Sequence, residues 1–216
     1  AHKIVVIPNS LNIPDLARPK LAGHQYRVGF VGMVPFLKRP DRALDVVEEL
    51  IQHDRRFTLH IRGRFPWEYP HVWKKELEQE AYLSLFARLA AKPLLQEHVV
   101  FERFGSDMGS WLRKIGWVLS PSDRESFHLA PAEAMASGAV PLIWHREGAE
   151  DIFSPDNVIQ NSQEAAAKII SLVDSERYLI ESRRAYEHVL QFDAPEVHAQ
   201  LVDVLKGLEV TEDGPV

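Results

Sequence analysis

Two glutamates, Glu125 and Glu133, stand eight positions apart in the segment SPSDRESFHLAPAEAM, which runs into a predicted helix. The backbone amides of residues 127–132 lie between them, and free N–H groups at a helix start attract a phosphate. Carboxylates accept hydrogen bonds from hydroxyl groups. Acids on both flanks of an anion site therefore suit a nucleotide sugar, which has hydroxyls on either side of its diphosphate. Glutamates at this separation are common, and spacing alone favours a simpler interpretation, in which Glu133 stabilises the helix start and Glu125 is solvated.

Short β-rich runs alternate with helical segments along the chain. We predict strands at 3–7, 27–31, 57–61, 99–101, 117–119, 140–143 and 157–159, and helices at 40–53, 73–91, 108–115, 131–137, 163–173, 176–191 and 196–208. This order predicts an α/β fold: a doubly wound, mostly parallel, Rossmann-like sheet covered on both faces, with extra C-terminal helices. Ligands of such folds bind beyond the carboxyl ends of the strands. The loops after residues 31, 61, 101, 119 and 143 are therefore where a site is expected.

Composition excludes several classes of protein. The 216 residues include no cysteine, which excludes a disulfide scaffold, a thiolate metal site and a cysteine nucleophile. A net charge of -6 argues against a nucleic-acid partner. The ten histidines are scattered without metal-ligand spacing, so we expect no metal and no prosthetic group. No apolar run is long enough to span a bilayer and no signal peptide is visible, so we expect a cytoplasmic protein.

The segment ESFHLAPAEAMASGAVPLI resembles the E-x7-E segment of family 4 glycosyltransferases of the GT-B fold, usually written EGFGLPLLEAMACGTPVI. Glu125, Phe127, Leu129 and Glu133 match it as they stand. Ser126 and His128 replace two glycines, which permit close backbone approach. His128 offers an imidazole to the sugar or phosphate, or has no task. The segment VVIPNSLNIPDLARP resembles the stretch that joins the two domains of these enzymes.

Other segments resemble the same family in the same order. VGFVGMVPFLKRPDRALDVVEEL resembles VGRLVPEKGVDLLIEAL, which implies that Lys38 binds the diphosphate. The arginine that often follows the loop glycine Gly32 is Met33 here, so Arg39, or Arg62 or Arg64 of IRGRFPWEYP, is expected to compensate. VVFERFGSDMGSWLRKIGWVLSPS resembles the loop whose main chain contacts the nucleobase. Main-chain contacts leave UDP, GDP and ADP undistinguished. The aromatic residues 65, 67, 69 and 73 form a lid or a platform for a sugar ring or, more simply, pack an insertion against the domain.

The resemblance implies the donor-binding domain of a retaining hexosyltransferase, which moves a sugar from a UDP- or GDP-sugar to an acceptor hydroxyl. The catalytic residues it implies are Glu125 and Lys38. The implied donor-binding residues are Gly32, Met33, Lys38, Arg62, Gly63, Phe104, Gly105, Glu125, Ser126, Phe127, His128, Leu129 and Glu133. A non-catalytic nucleotide-sugar-binding module and a GT-B-like epimerase of nucleotide sugars remain alternatives.

The expected organisation is a linker over residues 1–23, a nucleotide-sugar-binding domain over 24–208 and a flexible tail over 209–216. The resemblance implies an N-terminal acceptor-binding domain elsewhere in the same protein. We expect the fragment to be inactive without that domain, which would also make any peripheral membrane contact. Polysaccharide biosynthesis is the process in which such an enzyme is expected to act.

Overall fold

A computed structural model describes residues 4–209 of the protein. The strands in this range are β1 (Arg27–Val31), β2 (Thr58–Arg62), β3 (Val99–Glu102), β4 (Trp117–Ser120), β5 (Val140–Trp144) and β6 (Val158–Ile159). They form one sheet in the order β3-β2-β1-β4-β5-β6, and every pair of neighbours is parallel. The predicted doubly wound, Rossmann-like α/β fold is therefore confirmed.

Helices connect the strands and cover both faces of the sheet. They are α1 (Ile13–Leu16), α2 (Pro40–His53), α3 (Pro70–Trp73), α4 (Glu76–Ala90), α5 (Pro93–Glu97), α6 (Met108–Leu112), α7 (Leu129–Ala136), α8 (Ala149–Ile152), α9 (Ser162–Leu172), α10 (Glu176–Val189) and α11 (Ala194–Glu209).

Alternation along the strands divides the core between the two faces. Trp117 and Leu119 of β4 pack in a cluster with α2, α4 and α9, whereas Val118 between them packs with α6, α7 and α10. Successive strand residues point to opposite faces, so a strand buried on both sides must be apolar throughout. Every residue of β5 is buried in this way, including Val140 and Ile143.

The predicted elements differ from the structure at several boundaries. Residues 4–10 form no regular element, so the strand predicted at 3–7 is wrong over its described part; residue 3 lies outside the described residues. Ile4 is 83% exposed, and no strand of the described sheet pairs with it. The helix predicted at 73–91 is divided into α3 and α4, and α7 begins two residues before its predicted start. Residues 210–216 of the predicted tail also lie outside the described range.

The segment predicted as a linker packs against the domain in its second half. Leu11, Ile13 and Leu16 are buried in the core cluster that contains α6 and α10. The Leu11 amide donates to the Phe192 carbonyl at 2.8 Å, and the Lys20 ammonium donates to the Leu112 carbonyl at 2.9 Å. These contacts fix the segment beside the start of α11 and the end of α6.

Candidate functional site

The order of the strands brings three loops to one edge of the sheet. β1 and β4 are neighbours although they are not consecutive in the chain, and β5 lies on the other side of β4. The carboxyl ends of parallel strands share one edge, and a crevice opens where the strand order reverses. The loop after β4 therefore lies between the loop after β1 and the loop after β5. The amide of Asp123 donates to the carbonyl of Leu37 at 2.9 Å, which joins the β1 and β4 loops directly.

The β1 loop places Lys38 in the crevice and Met33 in the core. The ammonium of Lys38, at the end of a short 3-10 turn, contacts a carboxylate oxygen of Glu125. Met33 is 2% exposed and packs in the core, while its carbonyl accepts a hydrogen bond from the Tyr82 hydroxyl at 2.7 Å. The side chain of Met33 is thus directed away from the crevice. Gly32 before it has a φ of 75°, a conformation that glycine adopts without strain.

Glu125 of the β4 loop lies at the centre of a polar cluster. Its Oε1 accepts from the Ser122 hydroxyl at 2.8 Å, contacts the Lys38 ammonium, and lies 3.7 Å from Nε2 of His128. The Glu125 side chain is 11% exposed. Burial by itself would raise the pKa of Glu125, but the charge that His128 carries when protonated, the Lys38 ammonium and the Ser122 hydroxyl outweigh it and lower that pKa. The group is therefore a carboxylate at neutral pH.

His128 occupies a position where the family motif has glycine, and it adopts a conformation that glycine favours. Its φ is 55°, in the left-handed region that few non-glycine residues occupy. The imidazole is buried, and its Nδ1 lies 2.7 Å from the hydroxyl of Ser120. Burial, assisted by the charges of Lys38 and Arg146 and opposed by Glu125, lowers the pKa of His128 to about 3. The ring is neutral at physiological pH.

The start of α7 carries the remaining residues of the motif. Phe127 is buried, and its ring packs edge-on against Phe192 at 4.9 Å between centroids. Ser126 and Leu129 are exposed. Glu133, one turn into α7, is partly buried, and burial raises its pKa. Within the described residues its carboxylate accepts no hydrogen bond and forms no ion pair, so its oxygens have no protein donor.

The loops after β2 and β3 form a second polar area at the same edge of the sheet. Arg62 is 4% exposed; its guanidinium donates to the Gly105 carbonyl at 3.3 Å and pairs with Asp107. Phe104 is 64% exposed, with the guanidinium of Arg64 5.7 Å from its ring centroid. A cavity of about 220 Å³ lies here, lined by Gly63, Arg64, Glu68, Arg103 and Phe104. The geometry therefore makes Arg62 a support for the 103–107 loop.

The two areas are in contact. A Cβ built on Gly63 would lie 3.5 Å from the backbone of Gly32, so the β1 and β2 loops pack closely. The loop that carries Lys38 and the loop that lines the cavity beside Phe104 therefore adjoin one another. Phe65 stacks on Trp67 at 4.7 Å and lies 5.5 Å from Phe101, whereas Tyr69 contacts His71. Phe65 and Trp73 pack against the core cluster, as the simplest of the predicted arrangements requires.

Sequence reasoning missed Arg146, Ser120 and Ser122. Ser120 and Ser122 hold His128 and Glu125, while Arg146 follows β5 and lines the crevice. The signal available was positional, because Arg146 stands just beyond the carboxyl end of a strand.

No three His, Cys, Asp or Glu side chains in residues 4–209 are arranged to hold a metal ion. No helix in the same range is long and apolar enough to cross a bilayer.

Several solved structures share this fold. Anabaena HepE in complex with UDP and glucose matches with a TM-score of 0.75 and 19% identity, covering 94% of this chain and 56% of HepE. The C-terminal domain of LpcC, a glycosyl transferase group 1 family protein from Francisella tularensis, matches with a TM-score of 0.63 and 19% identity, covering 84% of this chain and 97% of that domain. The pneumococcal O-GlcNAc transferase GtfA in complex with UDP and GlcNAc matches with a TM-score of 0.68 and 16% identity, covering 93% of this chain and 38% of GtfA.

At such identities these likenesses show the fold alone. This chain spans about half the length of HepE, or less for GtfA, and corresponds to nearly the whole LpcC domain. No curated protein matches the sequence significantly. The family is shown by a sequence model, which matches residues 15–188 and so covers every strand of the sheet and the whole Lys38–Glu125 crevice. The chain belongs to the glycosyl transferases group 1 family.

Proposed function

We propose that this chain is the donor-binding part of a retaining hexosyltransferase of family 4, which moves a sugar from a nucleoside diphosphate to an acceptor hydroxyl. The observation that carries the proposal is the meeting of Lys38 and Glu125 in the crevice at the reversal of strand order. A lysine and a carboxylate from separate loops are thereby placed next to the start of α7. HepE and GtfA, which share the fold, have been solved with UDP and a sugar.

Each group in the crevice has a part in this proposal. Lys38 and the amides at the start of α7 bind the diphosphate, because both present positive charge or N–H donors to an anion. Glu125 accepts from hexose hydroxyls and Glu133 from ribose hydroxyls. The main chain around Phe104 and Gly105 binds the nucleobase in the cavity beside it.

The ion pair between Lys38 and Glu125 has a mechanistic consequence. Lys38 and Glu125 neutralise one another across the crevice. A nucleotide sugar would exchange this pair for two new ones, Lys38 with a phosphate oxygen and Glu125 with a sugar hydroxyl. Sugar transfer then rests on stabilising the leaving diphosphate as negative charge develops on it, and on the position of the acceptor. We propose that a second domain supplies the acceptor, since this chain covers only 56% of HepE and 38% of GtfA.

Calorimetric titration with a panel of UDP-, GDP- and ADP-sugars tests the proposal. We expect one nucleotide class to bind, and Lys38→Ala to weaken it by about tenfold or more, because a charge-assisted hydrogen bond is worth roughly 1.5–3 kcal/mol. Lys92→Ala is the matched control, since it removes a lysine–carboxylate pair with Glu48 that lies outside the crevice. Absence of binding to the whole panel would refute the proposal, as would equal losses in the two variants.

Product analysis separates the proposal from its alternatives. With the bound donor and no acceptor domain, we expect little or no release of sugar and no change in its stereochemistry. Formation of an epimer would identify the chain as an epimerase of nucleotide sugars. Robust transfer by this chain alone would contradict the need for a second domain.

A further inference from the structure

The diphosphate site of the proposed function has too little positive charge in the residues identified so far. A nucleoside diphosphate brings two or three negative charges, and Lys38 already faces Glu125. The arginine that follows the loop glycine in the family is replaced by Met33, whose side chain is buried in the core. A cation at that position is therefore missing, and the charge must come from another element.

The three arginines predicted to compensate are engaged elsewhere. Arg39 pairs with Asp41 at 2.6 Å and with Asp123 at 3.2 Å. Arg62 donates from Nη2 to the 103–107 loop, although its buried Nε has no partner, and Arg64 lies over the ring of Phe104 beside the second cavity. Each of these would have to leave an existing partner to reach a ligand between Lys38 and the start of α7.

Arg146 lies at the same crevice from the opposite side. It stands two residues beyond the end of β5, and β5 is the neighbour of β4 on the side away from β1. A cleft of about 400 Å³ separates its loop from the β4 loop and is lined by Asp123, Arg124, Glu125, Arg146 and Glu147. Lys38 and Arg146 thus approach Glu125 from the two loops that flank it.

The guanidinium of Arg146 is incompletely satisfied. Its Nη1 makes only long contacts, 3.3 Å to the Trp144 carbonyl and 3.5 Å to the Ser120 carbonyl. Its Nη2 is buried and has no hydrogen-bond partner, and no carboxylate in the described residues lies within ion-pair distance of it. A buried donor without a partner costs free energy, so an unsatisfied one in a native structure calls for an explanation. Arg146 lines the cleft, so a rotation of its guanidinium would let an anionic ligand there supply the partner.

We propose that Arg146 is the second cation of the diphosphate site and replaces, from the β5 loop, the arginine that position 33 lacks. This inference rests on the proposed function. A guanidinium presents two parallel N–H donors to phosphate oxygens, which a lysine cannot do. Asp123 does not compete for it, because Arg39 and Arg42 already pair with that carboxylate. Lys38 and Arg146 together would offset the negative charge that Glu125 adds to the crevice.

Titration of UDP and GDP, each compared with its nucleoside, tests this assignment. We expect Arg146→Ala to lower the affinity for UDP or GDP by about tenfold or more, since the phosphates contact the guanidinium. The affinity for uridine or guanosine, which have no phosphates, should change less than about twofold. Arg146→Lys keeps the charge and loses the paired donors, so its loss should be intermediate. Arg124→Ala is the control, because Arg124 lines the same cleft but is exposed, and we expect it to cost less than about threefold.

Two results would overturn the assignment. The first is an equal loss for diphosphate and nucleoside, which would make Arg146 a structural residue. The second is a loss of diphosphate affinity in Arg124→Ala as large as that in Arg146→Ala, which would indicate a general electrostatic attraction without a specific contact. If Arg146→Ala unfolds, Arg146→Lys carries the same comparison. Wild-type protein that binds neither UDP nor GDP refutes the proposed function itself, and the role of Arg146 falls with it, whereas binding that is insensitive to position 146 refutes only the latter.

Discussion

The neutral, buried imidazole of His128 predicts a specific loss of stability in mild acid. The folded protein holds the pKa of His128 at about 3, mainly through burial, whereas an unfolded chain gives histidine its ordinary value of about 6.5. Between these values the unfolded chain binds a proton that the folded protein refuses. The free energy of unfolding must therefore fall as the pH falls below about 6.5, and the contribution is lost progressively down to about pH 3.

The size of the effect follows from the two pKa values. A pH of 5 lies about 1.5 units below the pKa of histidine in the unfolded chain, and each unit lowers the free energy of unfolding by about 1.4 kcal/mol. His128 should therefore cost the protein about 2 kcal/mol at pH 5 and almost nothing at pH 7. Glu125, whose pKa is lowered from its ordinary value, stays ionised over this range and adds no step of its own.

His128→Asn isolates this contribution. Asparagine tolerates positive φ better than most residues, has an amide in place of the imidazole that contacts the Ser120 hydroxyl, and does not titrate. Between pH 7 and pH 5 the free energy of unfolding of wild type, measured with denaturant, should fall by about 2 kcal/mol more than that of the variant. The corresponding difference in melting temperature is roughly 4–8 °C. Comparison of slopes removes any constant cost of the substitution. Parallel pH profiles for the two proteins would show that His128 is free to protonate in the fold and would refute the reasoning.

Two further predictions concern the acids of the crevice. Glu125→Gln should raise the affinity for UDP by about fivefold, because it removes a negative charge beside the diphosphate and releases Lys38. The extra affinity of a UDP-sugar over UDP should be lost in the same variant. Calorimetry that shows weaker UDP binding would contradict this prediction. Glu133→Gln should stabilise the protein without nucleotide at pH 7 and lower its affinity for the nucleotide. Burial raises the pKa of Glu133, so stability is lost as the pH rises through that pKa, and the variant should lack this step in thermal unfolding between pH 4 and pH 7. Identical pH profiles of stability for Glu133→Gln and wild type would refute this effect of Glu133.

The parts of the fold that were predictable are those encoded by local pattern. β4 and β5 are buried on both faces, and a strand of that kind appears in the sequence as a continuous apolar run. The same pattern misled at residues 3–7, because an apolar β-branched run becomes a strand only where another strand pairs with it. Pairing is a property of the whole sheet, and residues 4–10 have no such partner in the part of the chain that the structure describes.

The site was predictable to the extent that strand order determines it. Lys38 and Glu125 follow strands whose carboxyl ends share an edge, so their proximity follows from the parallel sheet. The direction of Met33 did not follow, since only packing decides whether the residue after Gly32 faces the core or the crevice. Arg146 was missed for a related reason. In the sequence it is one cation in a short polar loop, and only the adjacency of β4 and β5 places it beside Glu125.

The departure at position 128 is compatible with a preserved loop. Glycine reaches the left-handed region without strain, whereas histidine pays roughly 1–2 kcal/mol to enter it. His128 offsets that cost through burial of its ring and its contact with Ser120, and the backbone adopts the conformation that a glycine would permit. Because the ring is neutral, it adds no charge to the crevice. In the proposed site the charge on a bound diphosphate is then met by the backbone amides of α7, Lys38 and Arg146, which is why position 146, and not position 128, is where the loss of diphosphate affinity is expected.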